Sequence, residues 1–275
     1  MKLELKNRSL IKISGLDSET FLQNQFSNDI SKLDNSTIQF NAYCQHQGKI
    51  IAILWVIRSN DDFFLSLPSD LLETVISRLK MFVIMSDVLV EDASDGFYQI
   101  GLINEVDSKA YQLNEKLAFL LTSKNDTRNI NALINDNEWA KNSIDSLIPE
   151  VFFKTSEKFV PQMLNLDINE FGVNFSKGCY PGQEVVARLH YLGKAKRRLF
   201  SFRSDSEMQI GDNLYCASSN AAKTRGDRYK GSGMVVNRVK FNSEFYCLAT
   251  LDVGLLEDKI TINNEDGPQL NLIKS

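Results

Sequence analysis

The segment that most constrains the fold is a nearly unbroken apolar run at residues 50–57. Its high content of β-branched side chains favours a β-strand, and the lack of polar alternation predicts that this strand is buried on both faces. A polar turn at residues 59–62 and a second apolar segment at 63–67 follow, which predicts an antiparallel hairpin. The chain therefore contains a sheet that other elements cover on both sides.

Strand and helix patterns alternate through the first two thirds of the chain. Strands are predicted at residues 10–13, 97–103 and 117–121, and helices at about 18–26, 69–83 and 137–147. Ser69 directly follows Pro68, where it is a good N-cap for the second helix, and Pro149 ends the third. This order indicates an α+β arrangement rather than a strict βαβ repeat.

The pattern changes after Gly193, where only short strands separated by polar turns follow. They are predicted at residues 199–202, 213–216, 233–239, 244–251 and 270–273. Several short strands at this spacing are typical of a small barrel or sandwich. We therefore predict two domains, residues 1–193 and residues 194–275.

Composition narrows the functional classes. A formal net charge of −4 argues against general nucleic-acid binding, because counterion release rewards a basic surface. No run approaches the roughly 20 apolar residues of a membrane span, and the first residues lack the continuous apolar stretch of a signal peptide. The four cysteines form no CxxC pair and the chain has two histidines, which disfavours a metal cage. We expect a cytoplasmic protein with free thiols, no metal site and no membrane partner.

The most informative segment is residues 177–184, in which two glycines and a proline surround Cys179. The apolar residues after Gly182 predict the start of a helix, whose dipole would stabilise a nearby thiolate together with Lys177 and Arg188. Glu184 and Arg188 are four residues apart and are expected to pair on the helix surface. The alternative is that Cys179 is a small buried filler, which is the usual fate of a single cysteine.

The segment 177–184 resembles the K-G-C-Y-x-G-Q-E signature of the YgfZ family. Residues 159–167, 190–194 and 21–29 are similar to further blocks of that family, with Asn24 where a glycine is commoner. The resemblance runs over about residues 10–199 and becomes only architectural in the C-terminal strands. It implies the fold of the glycine-cleavage aminomethyltransferase, with ferredoxin-like α+β modules and a C-terminal β-barrel around a central opening.

The resemblance also implies a function. Proteins of this family bind tetrahydrofolate or a derivative in that opening, and iron–sulfur enzymes, including radical enzymes that thiomethylate tRNA, need them for full activity. The implied partners are a reduced folate, iron–sulfur client proteins and, transiently, tRNA. The signature cysteine carries this role with the neighbouring lysine, which assigns the chemistry to Cys179 and Lys177.

The implied folate site falls on residues in three parts of the chain. Trp139 matches a family tryptophan and can stack on a pterin, although a core tryptophan on an amphipathic helix is the alternative. A second family tryptophan falls at Arg8, which can meet a glutamate tail instead. The residues assigned to the folate are Trp139, Tyr180, Gln183, Glu184, Arg188 and Arg8.

Comparison with the aminomethyltransferase leaves the question of catalysis open. That enzyme has paired aspartates after the glycine of its first long strand, and Ala52 and Ile53 stand at those positions here. Alanine cannot transfer a proton, so aminomethyl transfer by the same mechanism is disfavoured. Three hypotheses follow: a thiol-dependent accessory factor for iron–sulfur proteins, a folate-dependent one-carbon transferase, and a scaffold that binds a client or tRNA.

Two features near the signature each have two possible interpretations. Lys194, Lys196, Arg197 and Arg198 can meet folate polyglutamate or tRNA phosphate, or can form a solvated linker. His190 follows the signature helix, where it can assist proton transfer or only cap the helix end.

Overall fold

A computed structural model describes residues 1–126, 133, 135–218 and 231–274. The described residues form fifteen strands and four α-helices. In chain order these are β1 (Lys2–Glu4), β2 (Arg8–Ser14), α1 (Ser18–Gln25), β3 (Ile38–Cys44), β4 (Ile50–Ser59), β5 (Asp62–Pro68), α2 (Leu72–Lys80), β6 (Leu89–Asp92), β7 (Phe97–Ile103), β8 (Tyr111–Gln112), β9 (Leu117–Ser123), α3 (Asp136–Asp145), α4 (Gln183–Leu192), β10 (Arg197–Ser204), β11 (Asn213–Tyr215), β12 (Gly233–Phe241), β13 (Glu244–Asp252), β14 (Ile260–Ile262) and β15 (Gln269–Lys274).

The apolar run of the sequence forms β4, the second strand of a five-stranded sheet with the order β3-β4-β5-β2-β6. Every residue of β4 from Ile50 to Ile57 is buried, which confirms the prediction of a strand covered on both faces. The predicted hairpin is also present, because β4 pairs with β5 in antiparallel register and Ser59 lies opposite Asp62. The helix predicted at 69–83 is shorter: a 3₁₀ turn occupies Ser69–Leu71, and α2 begins at Leu72.

A second sheet has four strands in the order β1-β7-β9-β8, and α3 packs against it. The contact depends on Gly101 in β7: a Cβ atom at this position would lie 2.3 Å from Cε3 of Trp139. The absence of a side chain at Gly101 therefore lets the indole of α3 lie directly on the strand. Asn135 caps α3 by accepting a hydrogen bond from the Glu138 amide at 3.2 Å.

The C-terminal strands close into a six-stranded barrel with the order β10-β13-β12-β11-β14-β15. This confirms the barrel rather than the sandwich, and the first barrel strand begins at Arg197. The boundary at residue 193 stays a prediction. Leu199, Val236 and Leu248 of the barrel belong to the same buried apolar cluster as the five-stranded sheet, so the barrel shares a core with the rest of the chain.

The segment between α3 and α4 joins the barrel to the five-stranded sheet. On the sheet side, the Ile50 amide donates to the Phe159 carbonyl at 2.8 Å. On the barrel side, the Asn165 side-chain amide donates to the Leu199 carbonyl at 3.0 Å. We call this line of contact between the first sheet and the barrel the seam.

No helix among the described residues is both long enough and apolar enough to cross a membrane.

Candidate functional site

Cys179 differs from the other three cysteines in its exposure. Its side chain is exposed, whereas Cys44, Cys216 and Cys247 are buried. Burial raises the pKa of the Cys44 thiol to about 12 and raises the pKa of Cys247 further. Cys179 is therefore not a buried filler, and it is the thiol that a partner molecule can reach.

Lys177 anchors the loop that carries this thiol. Its ammonium group donates to three backbone carbonyls in the N-terminal block, those of Gln23 at 2.6 Å, Phe26 at 2.5 Å and Asn28 at 3.0 Å. Burial lowers the pKa of Lys177 to about 8, and the nearby carboxylate of Asp29 opposes this shift. The three carbonyls use the donors of the ammonium group, so Lys177 holds the loop against the end of α1 and the turn that follows it.

Two glycines let the signature loop approach the turn between β3 and β4. Gly182 has a φ of +83° and Gly48 has a φ of +75°, a conformation that side chains disfavour. A Cβ atom on Gly182 would lie 2.5 Å from the Gln45 carbonyl oxygen and 2.7 Å from Cα of Gly48. The two backbones are in direct contact, and the second glycine of the signature is required for this contact.

Tyr180 lies inside this junction rather than on a ligand surface. It is 8% exposed, and the Lys177 ammonium lies 5.3 Å from its ring centroid. Burial, and to a smaller extent the nearby Cys44, raises the pKa of Tyr180 above its ordinary value. The side chain next to the exposed thiol therefore belongs to the protein interior.

The predicted helix after Gly182 is present as α4, which begins at Gln183. The buried side-chain amide of Gln162 donates to the Val186 carbonyl at 2.8 Å and fixes α4 to the segment that precedes it. Glu184 and Arg188 are exposed, and no ion pair between them is present in the described part of the chain, so the predicted pairing was wrong. In water such a pair contributes little, because solvent screens both charges.

The far end of α4 carries an aromatic contact that the sequence did not indicate. The His190 ring stacks on Phe175 with centroids 3.7 Å apart, and Tyr191 meets the same phenylalanine edge-on at 6.2 Å. Phe175 lies two residues before the first residue of the signature, Lys177, so this stack ties the end of the helix to the entry of the loop. Its spacing follows no helical or strand period, and periodicity therefore could not reveal it.

Arg8 is buried at the seam. Its guanidinium lies 3.7 Å above the Trp55 ring, Nε donates to Ser66 Oγ at 2.8 Å, and Nη1 forms an ion pair with Glu150. Its Nη2 is buried without a partner among the described residues. Burial lowers the pKa of Arg8 to about 9, because removal from water disfavours an uncompensated charge. Glu150 supplies the compensation, and sequence reasoning missed it because an isolated glutamate in a loop has no pattern.

Trp139 and Arg8 line one cavity of about 80 Å³. The cavity lies where β2, α3 and the barrel strand β12 meet, and we call it the seam cavity. The hydroxyl of Ser143 is also buried there and has no partner among the residues that the structure describes. The residues that line the seam cavity are Asn7, Arg8, Trp139, Ala140, Ser143, Ile144, Glu150, Phe152, Asn237 and Arg238.

The residues assigned to the folate therefore lie in two places. Arg8 and Trp139 share the seam cavity, which joins two segments that are far apart in sequence. Tyr180, Gln183, Glu184 and Arg188 belong to the signature loop and α4, and none of them is among the described residues that line the seam cavity.

The positions of the aminomethyltransferase aspartates lie inside β4. Ala52 is fully buried and Ile53 is 1% exposed. Ala52 lies opposite Tyr43 and Ile53 opposite Ala42 in the neighbouring strand. Both positions therefore contribute apolar packing, and the strand supplies no carboxylate there.

The basic cluster after α4 divides into two kinds of residue. Lys194 and Lys196 are exposed, in agreement with a solvated linker. Arg198 instead forms a bidentate ion pair with Asp167, with N–O distances of 2.5 and 3.0 Å. Arg197 donates to the Gly231 carbonyl at 2.5 Å. The two arginines thus hold the start of the barrel in place.

Within the described residues no group of three or more histidine, cysteine or acidic side chains could hold a metal ion.

Known proteins are similar to this chain in fold and in sequence. No family model matches the chain. In overall fold the chain is similar to the glycine cleavage system aminomethyltransferase T of Bartonella henselae, with a TM-score of 0.68 over 100% of this chain and 84% of that one, at 10% identity. This likeness shows the fold, including the α+β modules and the barrel.

The curated relatives cover most of the chain. An uncharacterised protein of Haemophilus influenzae is 32% identical over 220 residues, which are 77% of each chain. The tRNA-modifying protein YgfZ of Colwellia psychrerythraea is 30% identical over 267 residues, covering 82% of this chain and 81% of the relative. The protein of the same name from Aliivibrio fischeri is 27% identical over 280 residues, covering 93% and 86%. On the strength of these matches, this chain belongs to the YgfZ family.

Proposed function

We propose that this protein is a cytoplasmic accessory factor that binds a reduced folate and uses the thiol of Cys179 to support iron–sulfur enzymes that modify tRNA. Its relatives in Colwellia psychrerythraea and Aliivibrio fischeri carry the name tRNA-modifying protein. The observation that carries the proposal is the exposed thiol of Cys179 on a loop with two independent anchors.

The anchors matter because a reactive group acts best from a fixed position. Lys177 ties the loop to the turn after α1, and Gly182 ties it to the turn between β3 and β4. Cys179 lies between these anchors, and its thiol is exposed to solvent. A single thiolate can supply one ligand to a cluster whose other ligands stay on a client protein, whereas a resident cluster usually needs four.

The chemistry of the seam cavity fits the polar edge of a pterin. The ring of a reduced folate carries an aminopyrimidine edge that donates hydrogen bonds and a carbonyl that accepts them. Glu150 offers a carboxylate acceptor, and Arg8 Nη2 and Ser143 Oγ are buried polar groups without partners in the described part of the chain. Trp139 adds an aromatic wall, and stacking on it contributes about 1 kcal/mol.

The volume of the seam cavity sets a condition on binding. A space of about 80 Å³ corresponds to roughly two or three water molecules. A whole pterin ring therefore requires the side chains around Trp139 to move apart. When bound, the folate would supply a one-carbon carrier, while Arg8, Ser143 and Glu150 would orient its ring.

Aminomethyl transfer by the acid–base chemistry of the structural relative has less support. Ala52 and Ile53 are buried and apolar at the positions of the paired aspartates, so neither can move a proton or hold an amine. The accessory role needs no such group.

The test is a complementation experiment in cells that lack this protein. The activity of an iron–sulfur enzyme that thiomethylates tRNA is measured with the wild type, with Cys179→Ala, and with Cys216→Ala as a control for loss of a buried cysteine. At matched protein levels we expect the wild type and the control to restore activity and Cys179→Ala to fail. Equal restoration by Cys179→Ala would overturn the thiol-dependent role.

A further inference from the structure

A second cavity at the seam brings three cations together. It has a volume of about 310 Å³ and lies between the start of β4, the segment before α4 and the barrel. Lys49, Lys158 and Arg197 all line it, and the other described residues of its walls are neutral. We call it the cationic cleft. The residues that line it are Lys49, Lys158, Phe159, Met163, Arg197, Asn213, Gly231, Gly233, Met234 and Thr250.

These cations have no anionic partner within the described part of the chain, where every recorded ion pair involves other residues. Lys49 donates only to the Lys158 carbonyl, at 3.3 Å, and Arg197 to the Gly231 carbonyl. Burial lowers the pKa of Lys49, and repulsion from Arg197 and Lys158 adds to the shift. Three like charges held together repel one another, and a bound anion would relieve that repulsion.

The volume of the cleft and the net charge of the protein favour a small anion over a nucleic acid. A cavity of about 310 Å³ holds a short flexible chain or a small molecule, not a duplex. The net charge of −4 also gives the protein no general attraction for a polyanion. The favoured ligand therefore carries a few carboxylate or phosphate groups close together.

The cationic cleft and the seam cavity lie along the same three segments. Strand β12 lines the cleft with Gly233 and the seam cavity with Asn237, and four residues of strand span about 13 Å. The segment before α4 reaches the seam cavity with Glu150 and the cleft with Lys158. Strand β4 likewise begins beside the cleft and continues to Trp55, which stacks under Arg8. An elongated ligand along the seam could occupy both sites.

We propose that the cationic cleft binds the carboxylates of an oligo-γ-glutamyl chain whose folate ring occupies the seam cavity. This inference rests on the proposed folate binding. It divides the ligand into two recognised parts, with the ring held by Arg8, Ser143 and Glu150 and the anionic chain held by Lys49, Lys158 and Arg197.

The test compares the monoglutamate and triglutamate forms of 5-formyltetrahydrofolate by calorimetry. With the wild type we expect the triglutamate to bind about tenfold more tightly, the contribution of one or two charge-assisted contacts. Lys158→Ala, at an exposed position, and Lys49→Met should each remove most of this advantage and bring the affinity for the triglutamate close to that for the monoglutamate. Lys80→Ala, on the exposed end of α2, is the matched control and should keep the advantage.

Each outcome bears on the inference. If both forms bind equally to the wild type, or if the cleft variants keep the full advantage, the cationic cleft does not hold the chain, although folate binding stands. If neither form binds, the folate proposal fails and the inference fails with it. A triglutamate advantage that disappears in both cleft variants but survives in Lys80→Ala establishes the site.

Discussion

The signature loop and the seam cavity both hold charged side chains, but they expose them differently. In the signature loop the charge of Lys177 points inward to backbone carbonyls, and the thiol of Cys179 faces solvent. In the seam cavity Arg8 and Glu150 face each other between the sheet and the barrel, and the Arg8 side chain is 3% exposed. The loop thus has a buried anchor and an exposed thiol, whereas the cavity has buried polar groups.

This difference separates the proposed thiol chemistry from the proposed folate recognition, which the sequence analysis assigned to a single opening. A group that exchanges with a partner protein has to reach the surface, and a group that selects a small ligand works best where water is excluded. A change at the cavity should therefore affect ligand binding and stability, and a change at the loop should affect the client activity first. The predictions below can break or sharpen this division.

The largest effect is expected from Glu150→Ala, which leaves the buried guanidinium of Arg8 without its partner. Removing one member of a buried ion pair destabilises strongly, and we expect a loss of about 3 kcal/mol in the free energy of unfolding, because Glu150 is partly exposed. Urea denaturation measures this loss. A change below about 1 kcal/mol, the value of an exposed pair, would mean that the ion pair is not buried in solution.

A double variant, Arg8→Met with Glu150→Leu, controls for the loss of the charge pair. Apolar side chains of similar volume often replace a buried ion pair with little cost, so we expect most of the stability to return. Folate binding should be lost in this double variant, because the polar groups that would hold the ring are gone. Recovery of both properties would show that the pair has no role in recognition.

The next effect concerns the loop itself. Gly182→Ala forces a side chain into a left-handed conformation and against the Gln45 carbonyl, at 2.5 Å. We expect a loss of about 2 kcal/mol in the free energy of unfolding and a loss of client activity. Gly178→Ala is the matched control, because a Cβ atom there meets nothing within 4 Å. Equal losses in both variants would show that the backbone contact with the turn between β3 and β4 is not the cause.

Most of the architecture could be predicted from sequence because it depends on periodicity. The apolar run of β4, the hairpin after it, and the short strands of the barrel all have regular patterns, and all are present. The helix predicted at 69–83 begins with a 3₁₀ turn and ends at Lys80, and strands β1, β3, β6, β8 and β14 were not predicted.

The site was predicted less completely, for a physical reason. The helix after Gly182 depends on local residues, and local residues indicated it, whereas they left open whether Cys179 is a reactive thiol or a buried filler. The partners of Lys177 are backbone carbonyls, which any sequence can provide, and the partner of Arg8 is a glutamate that lies 142 residues away. Long-range contacts of this kind leave no local pattern in a single sequence.

Lys177→Met tests whether the lysine is an anchor. The variant keeps a side chain of similar length but loses three hydrogen bonds to carbonyls, while it also removes the cost of burying a charge. We expect a net loss of about 1.5 kcal/mol in the free energy of unfolding. Hydrogen exchange should quicken in the turn after α1. Lys194→Met, at an exposed position, should change neither quantity. A loss of client activity without faster exchange would assign Lys177 to chemistry instead.

The smallest effect is a dependence on pH at Cys44, beneath the signature loop. Burial raises the pKa of this thiol from 9.0 to about 12, so above pH 9 the unfolded chain loses the proton before the folded protein does. The folded state then binds more protons, and its stability falls as the pH rises from 9 towards 12. At pH 10 the expected loss from this thiol is about 1.4 kcal/mol.

Cys44→Ala removes the titrating group, so the free energy of unfolding should fall less between pH 8 and pH 10 in the variant than in the wild type. Comparing the two falls cancels the constant packing cost of the substitution and the titration of Lys177, which both proteins share. Equal falls would mean that solvent reaches Cys44, and the junction beneath the signature loop would then be open rather than closed.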